Sequence, residues 1–331
     1  MTLPLRVRVL TKPQKWSSAN TVLGKSADEI PALRRRLAPP RSGPGTLLTG
    51  RVPKSVAVDW IQAELPGRSL CVRRYRPRQQ AADPRPVLVD FHGGGFVIGD
   101  PTLKEWFNAQ LAARLDAVVV SVDYRLAPEH PFPAAYEDAV DAARWASATA
   151  REWGGDPARM VLIGDSAGAN LATGVALADR DGSSGPRWCA QVLLYPPVDL
   201  AGDYPSAVEH AVTPMLTSAE SEAYLAHYLG ELDRSDPRIS PLLASDHRGL
   251  PPAVIIAAEH DPHRDQGPAY AEVLRAAGVP VRQTTYAGAA HGFLSVPGLF
   301  PVSLHALTEV VDALRRLLPH ATTPGLESKV D

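Results

Sequence analysis

The segment that most constrains this chain is Met160-Val161-Leu162-Ile163, followed by Gly164-Asp165-Ser166-Ala167-Gly168 and an alanine-rich stretch to about residue 179. A short apolar run, a serine bracketed by glycines and a helix-forming tail specify a strand, a tight turn and a helix in that order. A serine at such a turn needs a backbone conformation that crowds its neighbours. Glycines two before and two after it relieve the crowding. The hydroxyl is then presented above the sheet, where the N-terminus of the helix favours a developing negative charge. Gly-x-Ser-x-Gly alone is a common pattern; the strand–turn–helix setting makes it specific.

The same texture recurs on both sides of this element. Val87–Phe91, Ala117–Val122, Ala190–Tyr195 and Ala253–Ala257 are apolar runs, and 103–115, 134–150 and 167–179 have the length and composition of crossover helices. Continuous apolar strands suit a parallel sheet covered on both faces, so the alternation predicts an α/β doubly wound architecture. Residues 200–247 interrupt the rhythm. There Thr217-Ser218-Ala219-Glu220 has capping-box spacing and opens a helix that Gly230 closes. Another such box, Ser26-Ala27-Asp28-Glu29, precedes Ile30, Leu33 and Leu37. A helix at about 267–277, a strand at 281–286 and a helix at 301–317 complete the pattern. The expected organisation is an arm over 1–54, core over 55–199, a helical insertion over 200–247, core again over 248–318 and a polar tail over 319–331.

The 331 residues are 45% apolar and 21% charged, which excludes a disordered, collagen-like or coiled-coil chain. No run of 18 apolar residues predicts a membrane span. Cys71 and Cys189 are too few for a disulfide framework and lack C-x-x-C spacing. The net charge of −2 is uneven, with residues 1–54 carrying +9 and the remainder −11. Trp16 is the arm's single aromatic, so aromatics do not alternate with its basic residues and a solvated segment is expected rather than a nucleic-acid or membrane surface. The first 27 residues lack acids, as transit peptides do, but no secretory apolar stretch follows Arg6 and Arg8. The expectation is a cytoplasmic protein.

A serine hydroxyl is a weak nucleophile at neutral pH and needs a base within hydrogen-bond reach, oriented by an acid. His291, in Ala290-His291-Gly292-Phe293, follows the last strand, where sites form in open α/β sheets. Asp261 directly follows the strand over 253–258, and Glu259 and Asp265 compete with it on position alone. A second glycine cluster, His92-Gly93-Gly94-Gly95-Phe96, follows the strand 87–91 and allows backbone N–H groups to face a ligand oxygen. It has neither G-x-G-x-x-G spacing nor a Walker lysine. No metal-ligand spacing is visible, and the chemistry needs no metal or organic cofactor.

Taken together, these motifs make the chain resemble the hormone-sensitive-lipase-like (bacterial HSL, family IV) esterases of the α/β-hydrolase superfamily. The matching stretches are His92–Gly99, Asp123–Ala135, Gly164–Asn170, Ser240-Pro241-Leu242, Asp261–Asp265 and His291-Gly292-Phe293, in family order over roughly residues 70–315. The resemblance implies an α/β-hydrolase fold, with the arm and the insertion forming a cap over the acyl pocket. It implies Ser166 as nucleophile, Asp261 as acid and His291 as base. Gly94, Gly95 and Ala167 are then the oxyanion donors, His92 and Gly93 support that loop, and Arg125 and Glu129 belong to an internal polar network. The implied substrates are short- to medium-chain acyl esters, cleaved through an acyl-enzyme. A specialised amide or lactone hydrolase of secondary metabolism, or a non-catalytic ligand-binding member of the same fold, are the alternatives; such ligand-binding relatives lose the base, whereas His291 is present here. A homodimer through the last strand and helix is the implied assembly. Two positions depart from the family pattern: Ala169 stands where many members have a second glycine, and His263 replaces the usual leucine after Asp261-Pro262.

Overall fold

The computed structural model describes residues 20–38, 45–180 and 185–319, together with Leu3 and Gly43. The rest of the basic arm and the tail from residue 320 lie outside the described residues. Eight strands form one sheet: β1 (Val56–Leu65), β2 (Arg68–Pro77), β3 (Arg85–Phe91), β4 (Val118–Val122), β5 (Gly155–Asp165), β6 (Trp188–Leu194), β7 (Ala253–His260) and β8 (Val281–Ala290). Their spatial order is β1-β2-β4-β3-β5-β6-β7-β8. The β1–β2 and β2–β4 pairs are antiparallel; every other pair is parallel. This is the predicted mostly parallel α/β sheet.

The principal helices are α1 (Ile30–Leu37), α2 (Glu105–Leu115), α3 (Ala134–Thr149), α4 (Ala167–Ala178), α5 (Ser218–Leu229), α6 (Gln266–Ala276) and α7 (Val302–Leu317). Alternate residues of each central strand feed two separate cores. Val87, Val89, Val118, Val120, Met160 and Leu162 pack on the face covered by α3, α4 and α6. Leu88, Val119, Val161 and Ile163 pack on the face covered by α2 and α7. Burial on both faces is why these strands read as unbroken apolar runs rather than as alternating ones.

The β1–β2 hairpin is the element the sequence reading lacked. Its residues vary between buried and exposed because they flank the sheet edge, and charged side chains stand on both faces: Arg73 pairs with Glu105 of the next helix and Arg74 with Asp59 of β1. The usable signal was Pro66-Gly67 between two ten-residue runs, where Gly67 takes φ +72° in the turn. Both capping boxes form: Glu29 accepts from Ser26 N–H at 2.9 Å, and in α5 Thr217 Oγ1 accepts from Glu220 N–H at 3.1 Å. Glu220 also accepts from Thr21 Oγ1 at 2.7 Å, which ties the arm to α5. Among the described residues, no helix is long and apolar enough to cross a membrane.

Candidate active site

β5 delivers the chain into Ser166 at φ +52°, ψ −124°, and α4 starts at the next residue. A left-handed φ at a non-glycine residue costs of order 1–3 kcal/mol and persists only where the surroundings impose it. Here Ser166 N–H is pinned to Leu194 O of β6 at 2.9 Å. The flanking glycines allow the close approach: a Cβ on Gly168 would lie 2.0 Å from Phe91 O, and one on Gly164 would lie 2.2 Å from Gly168 O.

Asp261 and His291 each stand one residue beyond the carboxyl end of a strand, β7 and β8. His291 Nε2 is 2.7 Å from Ser166 Oγ, and His291 Nδ1 is 2.7 Å from Asp261 Oδ2. Asp261 is fully buried, and its other oxygen accepts from His263 N–H at 2.8 Å. Burial pushes its carboxyl upward, but the charge and hydrogen bond of His291 prevail and hold it below the usual aspartate range. The acid competitors are engaged elsewhere. Asp265 accepts from Arg264 Nε at 2.8 Å and Ser206 N–H at 2.9 Å, and Glu259 accepts from Gly288 N–H at 2.6 Å. Of the three, Asp261 alone bonds His291. The buried ring of Tyr195 packs edge-on to His291, 5.0 Å between centroids, and limits its tilt.

The glycine loop after β3 lies against this line. Val97 and Ile98 N–H both donate to Gly94 O, at 3.1 and 2.9 Å, and Gly94 takes φ +124°. Among the described residues, Gly94 and Gly95 N–H donate to no other protein group. Ala167, as the first helical residue, has no partner for its N–H within α4. His92 is buried. Its Nδ1–H donates to Gly93 O at 2.7 Å, and its ring stacks on Tyr124, whose hydroxyl donates to His92 O at 2.7 Å. These contacts tie the ring to the backbone of the glycine loop.

Beneath the loop lies a charged cluster that sequence reasoning missed. Lys104 of the α2 entry is buried and donates to Asp90 Oδ1 at 2.8 Å and to Asp165 Oδ1 at 2.7 Å. Asp165 Oδ1 also accepts Gly93 N–H at 3.0 Å, and Asp90 Oδ2 accepts Ser121 Oγ at 2.6 Å and Asn108 Nδ2 at 2.7 Å. Burial alone would lower the lysine, but Asp165 and Asp90 raise it. A lysine opening an amphipathic helix reads as solvated, so nothing in the sequence marked it. Arg125 and Glu129 differ from the expected internal network. Arg125 pairs with Asp138 at 2.8 Å, while the more exposed Glu129 is gripped by Arg34 of α1 at 2.7 Å. Arg34 Nε also donates to Val97 O at 2.6 Å, so the arm braces the glycine loop.

Ser166, His291, Gly94, Gly95 and Ala167 open onto a cavity of about 260 Å³. Leu37 of α1 and Met215, Leu216, Tyr224 and Leu225 of the 200–247 segment line it, as do Ser221 and His263.

Residues 88–295 match a family model described as the alpha/beta hydrolase fold. The chain is 38% identical over 298 residues to the carboxylesterase NlhH of Mycobacterium tuberculosis, covering 88% of this chain and 91% of that one. This chain is a member of the hormone-sensitive-lipase-like family of α/β-hydrolases. A second relative in this size range is an ethyl acetate hydrolase of Pseudomonas putida, 38% identical over 258 residues, 76% of this chain and 80% of that one. Among solved structures, a thermostable esterase from Pseudomonas putida ECU1011 superposes with a TM-score of 0.85 at 28% identity, over 96% of this chain and 98% of that one. The ring of His263, two residues after Asp261, faces His291 edge-on with centroids 5.7 Å apart.

Proposed function

We propose that this carboxylic ester hydrolase cleaves short- to medium-chain acyl esters through an acyl-enzyme on Ser166. His291 takes the Ser166 proton through Nε2 as the oxygen attacks the ester carbonyl, and Asp261 holds the imidazole by its Nδ1–H and stabilises the cation that forms. The carbonyl oxygen, now anionic, receives the N–H groups of Gly94, Gly95 and Ala167, each worth roughly 3 kcal/mol in the transition state. His291 returns its proton to the departing alcohol. Water then attacks the acyl-enzyme by the same route reversed and releases the acid.

The observation that carries this reading is the unbroken line of two 2.7 Å contacts from Asp261 through His291 to Ser166. The cavity supports the substrate size. About 260 Å³ lies just under the 300–1,000 Å³ typical of pockets for drug-sized ligands. The ethyl acetate hydrolase among the relatives acts on a small ester, in keeping with that volume. We assign the arm through α1 and the 200–247 segment to a cap, because Leu37 and Leu216 to Leu225 supply the cavity's apolar wall opposite the glycine loop. A panel of p-nitrophenyl esters from acetate to laurate tests the reading. The kcat/KM should peak at acetate to hexanoate and fall steeply beyond. A maximum at laurate would contradict the assigned pocket.

A further inference from the structure

Ser221, on the inner face of α5, ends a chain of hydrogen bonds whose direction can be worked out from one unambiguous donor. The main-chain N–H of Asp199 donates to Gln266 Oε1 at 2.9 Å. An N–H cannot accept, so the Gln266 carboxamide must present its NH₂ on the other side. There Nε2 lies 3.2 Å from His263 Nδ1, which is therefore the acceptor nitrogen of the ring. The proton of a neutral imidazole then sits on Nε2, 3.1 Å from Ser221 Oγ, and is donated to that oxygen. Burial drives His263 down to about 4, so the ring is neutral across the ordinary pH range. Each link of the chain donates to the next, and the Ser221 hydroxyl hydrogen has no acceptor among the described residues. Both Ser221 and His263 line the cavity that contains Ser166.

The chain also has a definite side. The His263 ring packs edge-on to His291, 5.7 Å between centroids, and His291 is the group that hands its proton to the departing alcohol. Resting on the reading of the site given above, we propose that Ser221 is a specificity-determining hydrogen-bond donor of the alcohol subsite, and that the enzyme favours esters whose alcohol carries a second oxygen, such as an ether or hydroxyl. An acceptor there would complete the chain, whereas an all-carbon alcohol leaves the Ser221 hydroxyl unpaired in a mostly apolar cavity. Discrimination follows from the cost of that unpaired donor more than from the strength of the bond formed.

The test compares 2-methoxyethyl butyrate with n-butyl butyrate, which share an acyl group and a chain length and differ by one oxygen for one methylene. The ratio of their kcat/KM values is measured for the wild-type protein and for Ser221→Ala. Intrinsic differences in alcohol reactivity cancel between the two proteins. The ether-to-alkyl ratio should fall roughly threefold to tenfold in Ser221→Ala, the loss of one neutral hydrogen bond. Ser221→Thr, which keeps a hydroxyl, should retain most of the wild-type ratio. His263→Leu, which leaves Ser221 unoriented, should move the ratio in the same direction as Ser221→Ala. A ratio unchanged in Ser221→Ala would overturn the proposal. So would a change confined to esters with the extra oxygen in the acyl half, tested with ethyl methoxyacetate against ethyl butyrate. In either case hydrolysis of n-butyl butyrate with phosphonate labelling at Ser166 would leave the esterase reading standing. Absence of both would remove the two together.

Discussion

Replacing Lys104 by methionine removes the single ammonium that two buried carboxylates share. The side chains of Lys104, Asp90 and Asp165 are 1%, 1% and 3% exposed, so solvent does little to screen the loss. Breaking a buried ion pair by deleting one partner costs about 3–5 kcal/mol. At roughly 2 °C per kcal/mol for a chain of this size, the midpoint of thermal unfolding should fall by about 6–10 °C. Catalysis should suffer separately. Asp165 Oδ1 holds both the lysine and Gly93 N–H, so a carboxyl that turns once the lysine is gone lets the glycine loop shift. A displacement of the oxyanion donors lowers kcat by roughly tenfold to a hundredfold, with KM less affected. The pH dependence has a definite sign. The wild-type lysine is raised above its ordinary value, so its contribution is full below about pH 10.4 and is lost only as pH climbs beyond it. Differential scanning fluorimetry from pH 5 to 9, with steady-state kinetics on p-nitrophenyl butyrate, reads both effects. A midpoint lowered by less than about 2 °C, with kcat unchanged, would refute the reasoning.

Three further outcomes follow from the same geometry. Asp261→Asn should reduce kcat by about 10⁴ by presenting an amide to His291 Nδ1 and favouring the wrong tautomer, while Asp265→Asn should cost less than about tenfold; the reverse order in steady-state kinetics would mean that the acid is misassigned. Asp261 is held low in the folded protein, so the stability of its pair with His291 is full above about pH 4 and disappears as pH falls through the lower folded value; acid-unfolding curves should show Asp261→Asn losing part of this acid sensitivity, and coincident curves would contradict it. Arg34→Ala should lower kcat/KM several-fold by releasing Val97 O and Glu129 beside the glycine loop; ester kinetics beside a circular-dichroism melt separate this from unfolding, and unchanged kinetics would show that the arm does not brace the loop.

Much of the site was legible because its residues sit where strands end. Ser166, Asp261 and His291 each follow a strand, and glycines or a strand terminus mark all three in one dimension. What remained illegible depends on side chains from separate elements meeting in space. Lys104 looks like any helix-opening lysine until Asp90 and Asp165 are seen to converge on it. The chain from Asp199 through Gln266 and His263 to Ser221 joins three segments, and only His263 carried a mark, as a departure from the family pattern. The β1–β2 hairpin escaped because edge strands bury one face and show no unbroken apolar run. Arg125 and Glu129, read as one internal network, instead belong to two separate ion pairs, because their partners Asp138 and Arg34 could not be identified from spacing.

The proposed mechanism requires Ser166 Oγ to carry the acyl group. Treating the protein with a fluorophosphonate and mapping the adduct by mass spectrometry tests this directly, with Ser166→Ala run alongside. One adduct on Ser166, none on the variant, and ester turnover in the variant lower by about 10⁵–10⁶ are expected. A phosphonylated residue other than Ser166, or a Ser166→Ala protein that still turns over ester at near the wild-type rate, would contradict it.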